Sequence, residues 1–246
     1  MRNIKLVLQY DGTAYHGWQI QENAVTIQEI IENAICKITG EKVSVKGCGR
    51  TDSGVHAKGY VCNFYTDSKI PSEKFPFAIN AQLPKDIICI DAEDEDENFH
   101  SKSSAVKKRY TYYICNSSFP DIFTHSWHYK YPLDVEKMKQ AAKHFEGTHD
   151  FIGFASSGFT VKTTVRTIYS LEIEKKDNLI KIDVTGNGFL YNMVRIITGT
   201  LVFAGSGKIS PEEIPDIIES KDRNRAGITA PAEGLYLSEV YYGEKI

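Results

Sequence analysis

At 246 residues, 41% hydrophobic and 25% charged, the chain has a globular composition with room for one large domain or two small ones. No apolar run approaches the ~20 residues of a membrane span, and the opening "MRNIKLVLQYDG" lacks the apolar stretch and small-residue cleavage site of a secretory signal, so a cytoplasmic protein is expected. The net charge is −3, yet "DAEDEDE" (residues 91 to 97) carries six acids; removing them leaves the remainder at +3, which permits a nucleic-acid partner without requiring one.

In chain order, "NIKLVLQY" alternates Ile4, Leu6 and Leu8 on one face and predicts a strand. "YDGTAYHGWQIQ" (10 to 21) reads as a long flexible loop. "VTIQEIIENAICKIT" places Ile27, Ile30, Ile31, Ala34, Ile35 and Ile38 on one helical stripe. Strands "KVSVKGC" and "GYVCNFYT" flank the loop "GRTDSGVHA". A short helix near "SEKFPFAINAQL" and a strand "IICIDAE" complete a β-α-β-β-α-β order.

After an acidic and Ser-rich connector (roughly 91 to 104) the order begins again. "KKRYTYYIC" is a strand, and "DVEKMKQAAKHFEG" a helix with Asp134 as N-cap and Gly147 at its end. "VRTIYSLEIEKK" and "LIKIDVTG" make a hairpin turning at "DN". "FLYNMVRIITGTLVFAG" is a helix, "SPEEIPDIIES" another with Ser210 as cap and Pro211 in its first turn, and "GLYLSEVYY" a last strand. The expected fold class is α+β. Two ferredoxin-like halves, residues 1–98 and 104–246, would form a joined, mostly antiparallel sheet with helices on one face and an active-site cleft between the halves.

Four residues stand out. Asp52 lies between Gly49 and Gly54, with Arg50 two residues before it. Asp, Ser and Gly are what tight turns use, so a hairpin turn is one reading and a catalytic carboxylate held on a loop the other. A single acid suits neither ordinary glycosidase chemistry, which needs two, nor a metal cluster; it does suit covalent or general-base work beside a cation that keeps it charged. Tyr110 shares a strand face with Tyr112, beside the basic run "KKR". It is either core or an aromatic face for stacking an unpaired base. Arg195 is a lone cation in an apolar helix. It either emerges on a polar side with Asn192 and Thr198, or pairs with a carboxylate, of which Asp52 is the candidate, because a buried guanidinium is costly alone.

Other chemistries find less support. The cysteines at 36, 48, 62, 89 and 115 are odd in number and lack a C-x-x-C pair, so neither a disulfide framework nor structural zinc is expected. Cys48, His56 and Cys62 lack a fourth ligand. His16 and His56 have no serine in a nucleophile-elbow setting, and no Gly-Lys-Ser/Thr phosphate loop occurs.

Together "YDGTAYHGWQIQ", "GRTDSGVHA", "KRYTYYI", "EGTHDF", "GFLYNMVRIITGTLV" and "APAEGLYL" resemble the TruA family of tRNA pseudouridine synthases, in family order from residue 6 to 240. The resemblance implies an isomerase that converts uridine to pseudouridine in the anticodon stem-loop of tRNA (positions 38, 39 and 40), without metal or organic cofactor. By the same resemblance Asp52 is the nucleophile, Tyr110 the active-site tyrosine that stacks on the flipped base, and Arg195 the basic partner that keeps Asp52 charged. Arg50 is expected to support the displaced base's place in the stem, and the resemblance implies a homodimer whose two chains together form the RNA groove. The chain departs from the family pattern at Ser53, where alanine is usual, at Ile228 and Ala232, where prolines are common, and at Asn192, where histidine is frequent. The competing readings are a non-catalytic RNA-binding module on the same fold, and a carboxylate-based hydrolase of a small molecule, which would need a second acid.

Overall fold

The computed structural model describes residues 1–158 and 161–243, which form two compact units. The first comprises Met1–Val106 and the chain again from Tyr236; the second is Lys107–Leu235.

The first unit opens with β1 (Arg2–Tyr10), whose Ile4, Leu6 and Leu8 are fully buried as the alternation predicts. Helix α1 (Ile27–Thr39) buries Ile27, Ile31, Ala34 and Ile35, while Ile30 and Ile38 lie half-buried at the edges of the stripe. It ends at Gly40, whose left-handed φ of 75° lets its N–H reach the Cys36 carbonyl. The expected strand over "KVSVKGC" contracts to β2 (Lys46–Gly47): just before it the Val45 N–H donates to Glu32 and the Val45 carbonyl accepts from Gln28, so the backbone there is bonded to side chains of α1. Then come β3 (His56–Thr66), a 3-10 turn at Ser72–Lys74, α2 (Phe75–Asn80) and β4 (Ile87–Glu95). Strand β1 pairs antiparallel with both β3 (Leu6 opposite Cys62) and β4 (Leu6 opposite Ala92).

The second unit is built on β5 (Ala105–Cys115), with the short β6 (Trp127–His128) parallel to its end. Asp134 caps α3 (Val135–Lys143) by accepting from the Lys137 N–H. The helix stops at His144, and Gly147, expected at its end, instead opens a strand the sequence did not suggest, β7 (Gly147–Asp150). The hairpin of β8 (Val165–Lys176) and β9 (Leu179–Gly186) turns at Asp177, as read. Strands β5, β9, β8 and β7 form an antiparallel run in that order. Helix α4 (Met193–Gly205) begins four residues later than the apolar pattern suggested, because Asn192 adopts a left-handed φ of 61°. Ser210 and Glu213 make the capping box of the turn that leads into α5 (Ile214–Ser220).

The final strand, β10 (Leu235–Tyr242), returns from Tyr236 to the first unit and lies parallel to β3, with Tyr236 opposite His56. The fold is α+β, with mostly antiparallel strand pairing and five α-helices among the described residues. None of those helices is long and apolar enough to cross a membrane.

Candidate active site

Asp52 belongs to the first unit. Its carbonyl accepts the Val55 N–H at 3.2 Å, and Gly54 between them has φ 76°, so the backbone of residues 52–55 makes a tight turn that needs glycine at its third position. The turn splays the neighbouring groups: Arg50 is exposed while Asp52 is half-buried. The backbone half of the turn reading therefore holds, and it leaves the carboxylate's chemistry open.

What distinguishes this turn is the number of contacts that hold it. The Tyr10 and Thr51 hydroxyls are 2.9 Å apart, and Trp18 N–H donates to the Thr51 carbonyl. Ser53 Oγ and Gly54 N–H both donate to the Tyr15 carbonyl. Tyr60 stacks on Trp18 at 4.0 Å and donates its hydroxyl to the Gly49 carbonyl. Two glycines allow this approach: a Cβ on Gly12 would lie 2.0 Å from the Val55 carbonyl oxygen, and one on Gly17 (φ 82°) 2.3 Å from that of Thr51. Residues 10 to 21 are thus not the flexible loop expected from sequence, since Tyr15 and Trp18 are buried and clasp the Asp52 turn. The Tyr15 hydroxyl donates to Asp86, and burial with that hydrogen bond raises its pKa.

His56, at the far end of the turn, is buried and stacks on Tyr236 at 4.7 Å, with Nδ1 3.0 Å from the Gly12 N–H. Cys48 and Cys62 are buried, and burial pushes the Cys62 thiol well up, away from the thiolate a metal takes.

Tyr110 and Arg195 belong to the second unit. Tyr110 stands on β5 opposite Val184 of β9, half-buried, with the ring of Phe189 edge-on at 5.2 Å. Its strand neighbours behave differently. Tyr112 is fully buried and donates to the Pro231 carbonyl, and Thr111 donates to Asp183. Tyr112 is therefore core, and burial raises its pKa against the opposing charge of Arg195.

Arg195 sits in the first turn of α4. Its Nε donates to the Ala230 carbonyl at 2.7 Å, and its own carbonyl accepts the Ala230 N–H, fastening the helix to residues 226–231. Gly199 one turn on permits that contact, since a Cβ would meet the Ile228 carbonyl oxygen at 1.9 Å. Nη1 donates to Asn192 Oδ1 at 2.8 Å, and Asn192 Nδ2 donates to Ser156 Oγ. Asn192 thus holds the guanidinium from the side. In the sequence Asn192 stands out only as a departure from the family pattern and as part of a polar helix side. That polar side does not exist as expected, because Thr198 is fully buried. Nothing in a strand or helix pattern singles out the edge-on Phe189 either; the available signal is the pair of glycines just before it in "GNGF".

Two carbonyl-anchored donors leave a guanidinium fixed in direction, which suits it to hold an anion rather than wander. A carboxylate on a clasped turn suits attack or proton transfer at one defined point. A family model described as tRNA pseudouridine synthase matches residues 6–102 and 141–243. Over 244 residues the chain is 53% identical to tRNA pseudouridine synthase A of Thermoanaerobacter sp. and 54% identical to that of Acetivibrio thermocellus, in each case across 98% of this chain and 100% of the relative. It is 46% identical to tRNA pseudouridine synthase A of Bacillus subtilis, across 97% and 98%. Matched by the family model over most of its length and by these relatives from end to end, the chain belongs to the tRNA pseudouridine synthase family, isomerases that turn uridine into pseudouridine.

Proposed function

We propose that this isomerase acts on uridines 38, 39 and 40 of the tRNA anticodon stem-loop, with Asp52 as its nucleophile. The observation that carries the reading is the clasp on the Asp52 turn: four aromatic residues, Tyr10, Tyr15, Trp18 and Tyr60, fix its backbone while the carboxylate stays half-exposed. A turn needed only to reverse the chain requires no such enclosure.

The reaction breaks the N1 bond between uracil and ribose, turns the base, and rejoins it through C5, whose proton is lost. The target nucleotide first leaves the stack, at a cost of a few kcal/mol. Asp52 attacks while charged; Arg195, pre-aimed by Ala230 and Asn192, serves as its counter-charge in the assembled site. Tyr110 takes the extruded base on its ring, and the exposed Arg50 fills the base's place in the stem. The two ferredoxin-like halves would contribute Asp52 from residues 1–98 and Tyr110 and Arg195 from 104–246, on the walls of one cleft. A homodimer would share the RNA between copies, in the cytoplasm where tRNA is modified, with no cofactor called upon by any step.

The test is Asp52→Asn assayed on an unmodified tRNA transcript carrying a C5 label on uridine. Asn is as much at home as Asp in a turn but lacks the charge and lone pair that attack requires. The variant is expected to fold, to bind the transcript and to release no label. Label release near the parent rate would return Asp52 to the turn alone.

A further inference from the structure

The second unit holds a cation that none of the roles above uses. Arg166, second residue of β8, is half-buried and has no carboxylate partner among the described residues. Its Nη1 donates to the carbonyls of Thr163 and Val165 at 2.8 and 2.6 Å, so the guanidinium is aimed but not neutralised. Burial alone lowers its pKa, with no acid offsetting the cost. A desolvated cation held in one direction with its charge unanswered is how a protein prepares a place for an anion.

Its neighbour points the same way. The Gly186–Phe189 turn lies beside it: the Asn187 N–H and side chain bond the Thr167 backbone, and Gly188 faces the Arg166 side chain. Gly186 needs to be glycine, since a Cβ would meet the Thr167 carbonyl oxygen at 2.9 Å. Gly188 does not: its φ lies outside the left-handed region, and a Cβ would approach nothing closer than Arg166 Nε at 3.7 Å. Neither conformation nor packing in the free protein asks for glycine there. With no side chain of its own, Gly188 leaves the backbone of the turn uncovered beside that guanidinium, with room for another chain to lie close. The same turn ends in Phe189, whose ring meets Tyr110, and Gly186 is paired with Lys108 of the basic run.

We propose that Arg166 and Gly188 form a subsite for a phosphodiester of the RNA strand, adjoining the base that rests on Tyr110. Arg166 supplies the charge and the fork of donors; Gly188 lets the sugar-phosphate chain lie against the turn. The inference rests on the reading of Tyr110 as the base-stacking face.

The experiment is equilibrium binding of an unmodified tRNA transcript between about 50 and 200 mM salt, by the parent chain and by Arg166→Gln, Arg166→Lys and Gly188→Ala. One phosphate contact contributes about 0.9 to the slope of log affinity on log salt. Arg166→Gln should bind more weakly and lose about that much slope, so that its affinity falls roughly 3.5-fold less than the parent's across the range. Arg166→Lys should keep the slope, because the charge remains. Gly188→Ala should keep the parent's melting temperature and bind less tightly at every salt concentration, with slope unchanged. An Arg166→Gln slope equal to the parent's, or a Gly188→Ala affinity equal to it, overturns the proposal. C5 label release by Tyr110→Ala is measured alongside. If that variant is inactive while the Arg166→Gln slope is normal, the subsite alone fails. If it turns over normally, the stacking face fails and the subsite falls with it.

Discussion

Arg195 shows how much of a side chain's direction is decided by a residue beside it. Asn is the non-glycine residue best suited to a left-handed backbone, so at 192 it can end the preceding turn and also hold the guanidinium that follows it in the helix. Those two duties can be separated. Asn192→Gly keeps the backbone's freedom at φ 61° and removes only the amide, so folding and melting should stay close to the parent. The guanidinium then loses its 2.8 Å bond to the Asn192 amide, and its direction with it. A drop in kcat of about 10-fold or more is expected from misplacing such a group, with KM for tRNA little changed. Asn192→His, the residue frequent in the family pattern, should restore most of the rate. Equal losses in kcat and in melting temperature would make Asn192 a structural hinge and nothing more.

Among the elements, a contrast between two glycines tests the clasp on the Asp52 turn. Gly17 and Gly40 both sit in the left-handed region, at φ 82° and 75°, so an alanine at either costs backbone strain of about 1–2 kcal/mol. Only Gly17 also faces a carbonyl oxygen at 2.3 Å; Gly40 meets nothing within 4 Å. Gly40→Ala should therefore lower the melting temperature and leave turnover intact, whereas Gly17→Ala should push the Asp52 turn aside and cost at least 10-fold in kcat. Comparable turnover in the two variants would mean that the clasp does not set the position of Asp52. The elements with a clean period were legible in the sequence: β1, α1, the β8–β9 hairpin and the Asp134 cap all fall where alternation, stripe and capping chemistry place them. Those that slipped were decided by contacts distant in sequence. β2 was cut short where Gln28 and Glu32 take the backbone of Val45, the start of α4 was fixed by one backbone angle at Asn192, and residues 10 to 21 looked loose because the partners that hold them to the Asp52 turn lie 33 to 44 residues further on, at Thr51 to His56. Asp52, Tyr110 and Arg195 were visible as anomalies of residue type. The supports of Arg195 were not, because nothing in a helix pattern says that Asn192 turns back toward it.

For the molecule as a whole, the buried phenols set the alkaline limit. Burial raises the pKa of Tyr15, Tyr60, Tyr112 and Tyr242. In the unfolded chain each ionises near pH 10, while the folded protein retains the proton to higher pH. Their contribution to stability is therefore complete below about pH 10 and is lost as pH rises beyond it toward the folded values. The urea midpoint should be flat up to about pH 9 and fall steeply above pH 10, with phenolate absorbance from these residues emerging only as the chain unfolds. A midpoint unchanged at pH 11 would contradict the burial. At the acid end, Asp94 bonded to Arg2 and Asp150 bonded to Lys221 have lowered pKa values. Their contribution is present above pH ~4 and disappears below it, but both lie near solvent and the loss is small.

The placement of β10 bears on how the chain is made. The strand that flanks β3 in the unit bearing Asp52 is specified some 170 residues after β3 itself, beyond the whole of the second unit. During synthesis the second unit can be completed while the first still waits for a sheet partner, exposing the β3 edge that begins at His56 to solvent and to chaperones. Pairings between such distant segments form slowly. The unit bearing Asp52 is thus the earlier to emerge and the later to finish, so a ribosome halted before Tyr236 would carry the Asp52 turn with no finished sheet behind it.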